Sequence, residues 1–139
     1  MSSIVQTQTT SFKTELYQGI HDLSTDTIKI ALYTGNANLN ADTTVYTTSN
    51  EVVATGYTAG GNTLTGGSIN SSGYTAYVNW ANTSWTAAIT ARCALIYNAS
   101  QGNKSIAVID FGADKTSTTT FTITMPANTS TTALIRSSN

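Results

Sequence analysis

From Ser84 to Pro126 the chain runs SWTAAITARCALIYNASQGNKSIAVIDFGADKTSTTTFTITMP, three apolar segments of strand length separated by short polar breaks. In TFTITMP the alternation is strict. Phe121, Ile123 and Met125 fall on one side and Thr120, Thr122 and Thr124 on the other, the period of two expected of a half-buried strand. Pro126 ends that segment because it cannot donate to a ladder. ARCALIYN (91–98) and SIAVIDFG (105–112) are apolar on both sides and predict central strands. ASQGNK joins them like a hairpin. The pattern places these two side by side, with TFTITMP next to them.

Upstream, Phe12, Leu16, Ile20 and Leu23 recur at helical spacing. They predict one short helix over about 11–22, capped by Ser11 and weakened in its second half by Gly19. Residues 1–10 are polar and form an arm or a loose first strand. From Thr27 the period becomes two, with Ile28, Ile30 and Leu32 opposite Lys29, Ala31 and Tyr33, a half-buried strand. GNANLNAD (35–42) is a loop. TTVYTT (43–48) and EVVAT (51–55) are weaker strands. The five glycines of 56–67 demand bends or positive φ, with a short strand around Thr63–Leu64. YTAYVNW (74–80) alternates Ala76, Val78 and Trp80 against Thr75, Tyr77 and Asn79, and Trp85, Ala87 and Ile89 resume the alternation. TALIRS (132–137) supplies a last strand. Eight to ten short strands with turns about every ten residues indicate an antiparallel β-sandwich or jelly-roll-like barrel with one short N-terminal helix. The 1–10 arm and a single domain over 11–139 make up the chain.

Composition narrows the functional classes. Only 9% of the 139 residues are charged while 40% are hydrophobic, against about 25% charged in an ordinary soluble domain. Thr, Ser and Asn take the place of charge on the surface. A net charge of −1 with six scattered basic residues offers no basic stripe for nucleic acid. MSSIVQTQTT shows no basic-then-apolar leader, and no run approaches a membrane span. The expectation is a protein made in a cytoplasm, with no membrane partner.

Chemistry is sparse. Cys93, the one cysteine, sits in ARCALIY and is expected to be a small buried hydrophobe. His21, the one histidine, lies near the helix end, where a capping or surface role outweighs that of a catalytic base. Asp110 and Asp114, and likewise Asp22 and Asp26, fit turn-forming acids better than a calcium site. TAGGNTLTGG lacks the Lys of a phosphate-binding loop. Asn-x-Ser matches such as those at Asn82, Asn98 and Asn128 are expected by chance in so Asn- and Ser-rich a chain. Trp80, Trp85 and the seven tyrosines could stack on sugars, but their strand positions favour packing. No cofactor, metal or catalytic residue is expected, and the chain is not expected to be an enzyme.

Several segments resemble small virion proteins of tailed bacteriophages: SFKTELYQGIHDLSTDTIKIALYT (11–34), NEVVATGYTAGGNTLTG (50–66), AYVNWANTSW (76–85), ARCALIYN (91–98) and AVIDFGADKTSTTTFTITMP (107–126). The resemblance implies a β-rich virion protein present in many copies, and capsid decoration (cement) proteins fit that description. Such a protein would bind the major capsid protein on the outer shell as a homo-oligomer, with a trimer favoured. A tail or fibre component and a carbohydrate-binding β-sandwich module are the competing readings. The arm and two loops are the expected contact regions, represented by Ile4, Val5, Asn36, Asn38, Tyr57 and Asn62.

Overall fold

A computed structural model describes residues 5–138 of the chain. Its elements in order are β1 (Val5–Gln8), α1 (Thr10–Tyr17), β2 (Ile28–Tyr33), β3 (Asn62–Thr63), β4 (Ser68–Ser72), β5 (Thr75–Asn79), β6 (Thr83–Trp85), β7 (Thr90–Asn98), β8 (Lys104–Thr116), β9 (Phe121–Ile123) and β10 (Ile135–Ser138). They form a five-stranded sheet β1-β8-β7-β2-β3, a three-stranded sheet β10-β5-β4 and the pair β6-β9, all antiparallel. The protein is all-β and sandwich-like, with one short α-helix.

The five-stranded sheet is apolar on both faces, as its sequence demands. Ile28, Ile30, Leu32, Ala94, Ile96, Ala107 and Ile109 point into the main core. Phe12, Val78, Trp85, Phe121, Ile123 and Ile135 from α1 and the two smaller sheets meet them there. On the other face Ala31, Tyr33, Cys93, Leu95, Tyr97 and Val108 are covered by Ala37, Leu39 and Tyr46. The expected β7–β8 pairing is present, Leu95 opposite Val108 and Ile96 opposite Ala107. The 98–104 connection is a hairpin in which the Asn98 side chain accepts from Ser100 N–H at 3.0 Å.

Several elements depart from expectation for physical reasons. α1 starts one residue before Ser11, because Thr9 is its cap: Phe12 N–H donates to Thr9 Oγ1. It stops at Tyr17 rather than at 22. Gly19 takes φ +73°, Gly19 N–H bonds Leu16 C=O and Ile20 N–H bonds Glu15 C=O, the pair of bonds that closes a helix on a left-handed residue. The glycine is therefore a stop signal, and Ile20 falls outside the helix. β2 is buried on both faces rather than half-buried, because the 34–61 segment covers its second side. TTVYTT and EVVAT form no strands; Val45 and Glu51 make single bridges to Lys104 and Tyr33. Of the alternating Ala76, Val78 and Trp80, the latter two are buried and Ala76 is exposed. Residues 5–8 of the expected arm are an edge strand, Val5 opposite Asp110 and Gln8 opposite Ala107.

TFTITMP does bury Phe121, Ile123 and Met125, but β9 pairs with β6, not with β8. The side of β8 away from β7 is taken by β1. The long β8 still reaches β9 through side chains. Its register against β7 shifts between Ala91 and Cys93, and Asp110 Oδ1 accepts Gly112 N–H there. Past that irregularity Phe111 enters the core, and Lys115 lies 5.3 Å from the Phe121 ring while donating to Thr122 C=O at 2.6 Å. Burial pushes the Lys115 ammonium below its ordinary pKa.

Two substitutions probe this packing by urea unfolding. Ile109→Ala empties a fully buried site in β8 and is expected to lower stability by about 3 kcal/mol. Gly61 has φ +77°, and an added Cβ would collide with the Ile30 carbonyl oxygen. Gly61→Ala is therefore expected to cost more than about 1 kcal/mol.

Candidate functional site

The six residues expected to make contacts do not converge. Ile4 lies outside the described residues. Val5 begins β1 and is held by its backbone opposite Asp110. Asn36 and Asn38 are exposed in the loop after β2, with Asn36 C=O accepting from Asn50 Nδ2 and Asn38 Oδ1 from Asn40 Nδ2. Tyr57 is 8% exposed, and its hydroxyl serves the interior. Asn62 is half-buried; its Nδ2 donates to Thr83 Oγ1 and Ser84 C=O, each at 2.9 Å, and ties β3 to β6. Of the six, only the two loop asparagines are exposed among those whose side chains are described. Tyr57 and Asn62 are corrected to structural positions because the glycine-rich loop folds inward over β2.

Glu51 explains why that loop folds inward. Among few acids it is the one whose residue is buried, at 6% exposure. Its Oε1 accepts the Tyr46 hydroxyl at 2.5 Å, and its Oε2 accepts the Tyr57 hydroxyl at 2.5 Å and Gly60 N–H at 2.8 Å. The Tyr57 oxygen in turn accepts Leu32 N–H of β2 at 2.9 Å. Tyr46 stacks on Tyr97, with centroids 4.7 Å apart, and the Tyr97 hydroxyl donates to Gly60 C=O. Tyr33 donates to Thr47 C=O at 2.6 Å. One carboxylate with three donors thus fastens the 34–61 segment to the sheet, each donor replacing part of the water that the charge loses on burial. Burial, reinforced by the Glu51 charge, pushes Tyr97 up to about 12. It also raises Tyr33, Tyr46 and Tyr57 above the ordinary phenol value, with hydrogen bonds to the carboxylate adding to the rise at Tyr46 and Tyr57.

The other titratable candidates are structural as well. His21 is not at the surface. Its ring is tucked against Phe12 at 5.0 Å; Nε2 meets Glu15 Oε1 at 2.8 Å, and Nδ1 meets Asn98 Nδ2 at 3.0 Å. Since the Asn98 amide donates, Nδ1 accepts and Nε2 donates to Glu15. The histidine joins the end of α1 to the end of β7. Asp26 Oδ2 accepts Asn98 Nδ2 and Asp22 N–H, and Asp22 accepts from Ser24, which makes both turn-forming acids. These hydrogen bonds, that from Asn98 foremost for Asp26 and that from the Ser24 side chain for Asp22, hold both carboxyls below their ordinary range. Cys93 is buried, and desolvation, followed by the charge of Asp110, pushes it up to about 11; a thiol held this way is a poor nucleophile. Trp80 and Trp85 are both core residues, so neither indole presents a face to a sugar. Among the described residues, no three His, Cys, Asp or Glu side chains converge as metal ligands, and no helix is long and apolar enough to cross a membrane.

What the surface offers is a groove. One part, about 590 Å³, runs between β1 and β10, bordered by Gln6, Gln8, Lys13, Tyr17, Arg136 and Ser138. It adjoins an apolar part of about 460 Å³ between α1 and the three-stranded sheet, lined by Leu16, Leu23, Ile69, Val78 and Ile135. Tyr17 is 93% exposed, and Tyr74, in the turn next to the lining residue Thr75, is 88% exposed. The sequence pattern concealed this groove, because it joins the two ends of the chain. A readable trace was the placement of TALIRS and the N-terminal polar segment as short, flanking strands.

Alkaline titration tests the Glu51 cluster. Burial pushes Cys93 and Tyr97 above the ordinary thiol and phenol values, to about 11 and about 12. Each keeps its proton longer in the folded chain, so the stability that it contributes is full below the unfolded value and is lost as pH rises toward the folded one. The urea midpoint is expected to fall steadily between about pH 9 and pH 12, with the tyrosinate absorbance of the buried phenols appearing together with unfolding. Glu51→Gln turns an amide donor toward hydroxyl or N–H donors and is expected to lower stability by about 1–3 kcal/mol, with faster hydrogen exchange over 34–61. No family model, curated protein or solved structure matches this chain.

Proposed function

We propose that the protein is a non-enzymatic structural component of a tailed-phage particle, a capsid decoration protein that binds the major capsid protein on the outer shell as a homo-oligomer. The observation that carries the reading is the double-sided burial of the β8-β7-β2 sheet, in a body whose surface is rich in Thr, Ser and Asn. It stands beside the resemblance of residues 11–34, 50–66, 76–85, 91–98 and 107–126 to small virion proteins. A body of this kind stabilises a shell by repetition: one modest interface, made many times, sums to a large effect. The exposed asparagines of the loop after β2 and the groove beside β1 are the surfaces that such a body would turn toward its neighbours. Trimer formation and virion location follow from the same reading.

Imaging of purified particles by cryo-electron microscopy tests this. The expected result is density for this fold on the head, at many symmetry-related positions. Copies confined to the tail would favour the tail or fibre reading, and absence from the particle would overturn both. The carbohydrate reading retains Tyr17 and Tyr74 as its exposed aromatics; loss of glycan binding in a folded Tyr17→Ala, Tyr74→Ala double variant would favour it.

A further inference from the structure

The five-stranded sheet treats its two edges differently. On the β2 side, the edge is sealed. Leu64 N–H bonds Ile28 C=O, Leu32 N–H bonds the Tyr57 hydroxyl and Val52 N–H bonds Leu32 C=O, in addition to the short β3. The β1 edge is open. Thr9 N–H bonds Ile106 C=O, and the register of β1 against β8 then assigns the ladder bonds to Val5 and Thr7. The backbone groups of Gln6 and Gln8 point away from β8, into the groove. β10 is open in the same way. Its register against β5 and the turning of the Arg136 carbonyl toward Gln8 put the groups of Arg136 and Ser138 outward. The two open edges face each other across the groove, and among the described residues one hydrogen bond joins them: Gln8 Nε2 donates to Arg136 C=O at 2.6 Å. A side-chain amide there does what the N–H of an inserted strand would do.

Charge specifies the occupant further. Among the described residues, the part of the groove between β1 and β10 is lined by Lys13 and Arg136 and by no Asp or Glu, in a chain with only six basic residues; Asp22 borders the adjoining apolar part. Tyr17 stands at its margin, and Arg and Tyr are the side chains most enriched at the energetic centres of interfaces. The apolar part of the groove adjoins on the α1 side.

We propose that this groove takes an extended segment of another polypeptide, about four residues long and carrying an acidic side chain. The segment is inserted as a strand between β1 and β10, so that the five-stranded and three-stranded sheets become continuous. Backbone hydrogen bonds to both edges give affinity, and a carboxylate between Lys13 and Arg136 gives selectivity. The inference does not depend on which particle or cell the protein serves.

The probe is a blocked hexapeptide, Thr-Val-Asp-Val-Thr-Val, titrated into the ¹⁵N-labelled protein, with a Lys-for-Asp peptide as control. The amides of Gln6, Gln8, Arg136 and Ser138 are expected to shift together, and the Lys peptide to bind at least about tenfold more weakly. Arg136→Glu, at an exposed position, should weaken the Asp peptide by a similar factor without moving the urea midpoint. Gln6→Pro removes an outward N–H that β8 does not use, and should abolish binding in a protein that still shows the native spectrum elsewhere. Absence of shifts at these four amides, or an affinity indifferent to the charge of the peptide, overturns the proposal. So does concentration-dependent pairing of the chain with itself through the same amides in the absence of peptide.

Discussion

A carboxylate taken out of water must be repaid in hydrogen bonds, and in this protein the repayment determines the shape of about a fifth of the chain. Glu51 collects the hydroxyls of Tyr46 and Tyr57 and the N–H of Gly60. The residues that donate to it are thereby laid across β2 and β7. The main sheet has apolar side chains on both faces, and only one face is covered by other strands. Without the Glu51 cluster, Tyr33, Leu95 and Tyr97 would lie beneath a segment of Thr, Asn and Gly with little apolar surface to hold it down. Removing one partner from such a network leaves a buried charge short of donors, which is more damaging than never having had the charge.

Elements whose own side chains decide their burial were legible in the sequence. β2, β7 and β8 announce themselves by period and by β-branched content, and the hairpin between β7 and β8 by Gly and Asn. Elements decided by distant partners were not. TTVYTT and EVVAT have the composition of strands, yet their tyrosine and glutamate are spent on the cluster, and the segment runs as a loop. Gly19 looked like a weak point in a helix and is its terminator, a distinction that depends on the two backbone bonds closing behind it. The partner of β9 was also beyond reach, since strict alternation fixes which face is buried but not which strand lies alongside. For the candidate surface, the loop asparagines were found as exposed positions. Tyr57 was misplaced because a tyrosine in a glycine-rich stretch has the same pattern whether it reaches outward or folds back. Glu51 itself carried a signal, a lone acid among aromatics in a chain with little charge.

The same economy of charge shapes the exterior. With 9% charged residues, the protein cannot guard its strand edges with lysines, a usual defence against unwanted pairing. It seals the β2 edge with side chains and backbone from the inward-folded loop and leaves β1 and β10 turned toward each other, with a single glutamine amide between them. This arrangement favours selective contact over general stickiness.

The pairing of β1 with β8 sets Val5 opposite Asp110, a loop of about a hundred residues that must close before the first strand has a place to sit. Contacts so distant along the chain slow the search for the folded state, and during synthesis the first strand has no partner until most of the polypeptide has left the ribosome. The edge that borders the groove is thus among the last features to be completed, since both β8 and β10 must be made before its two sides can face each other.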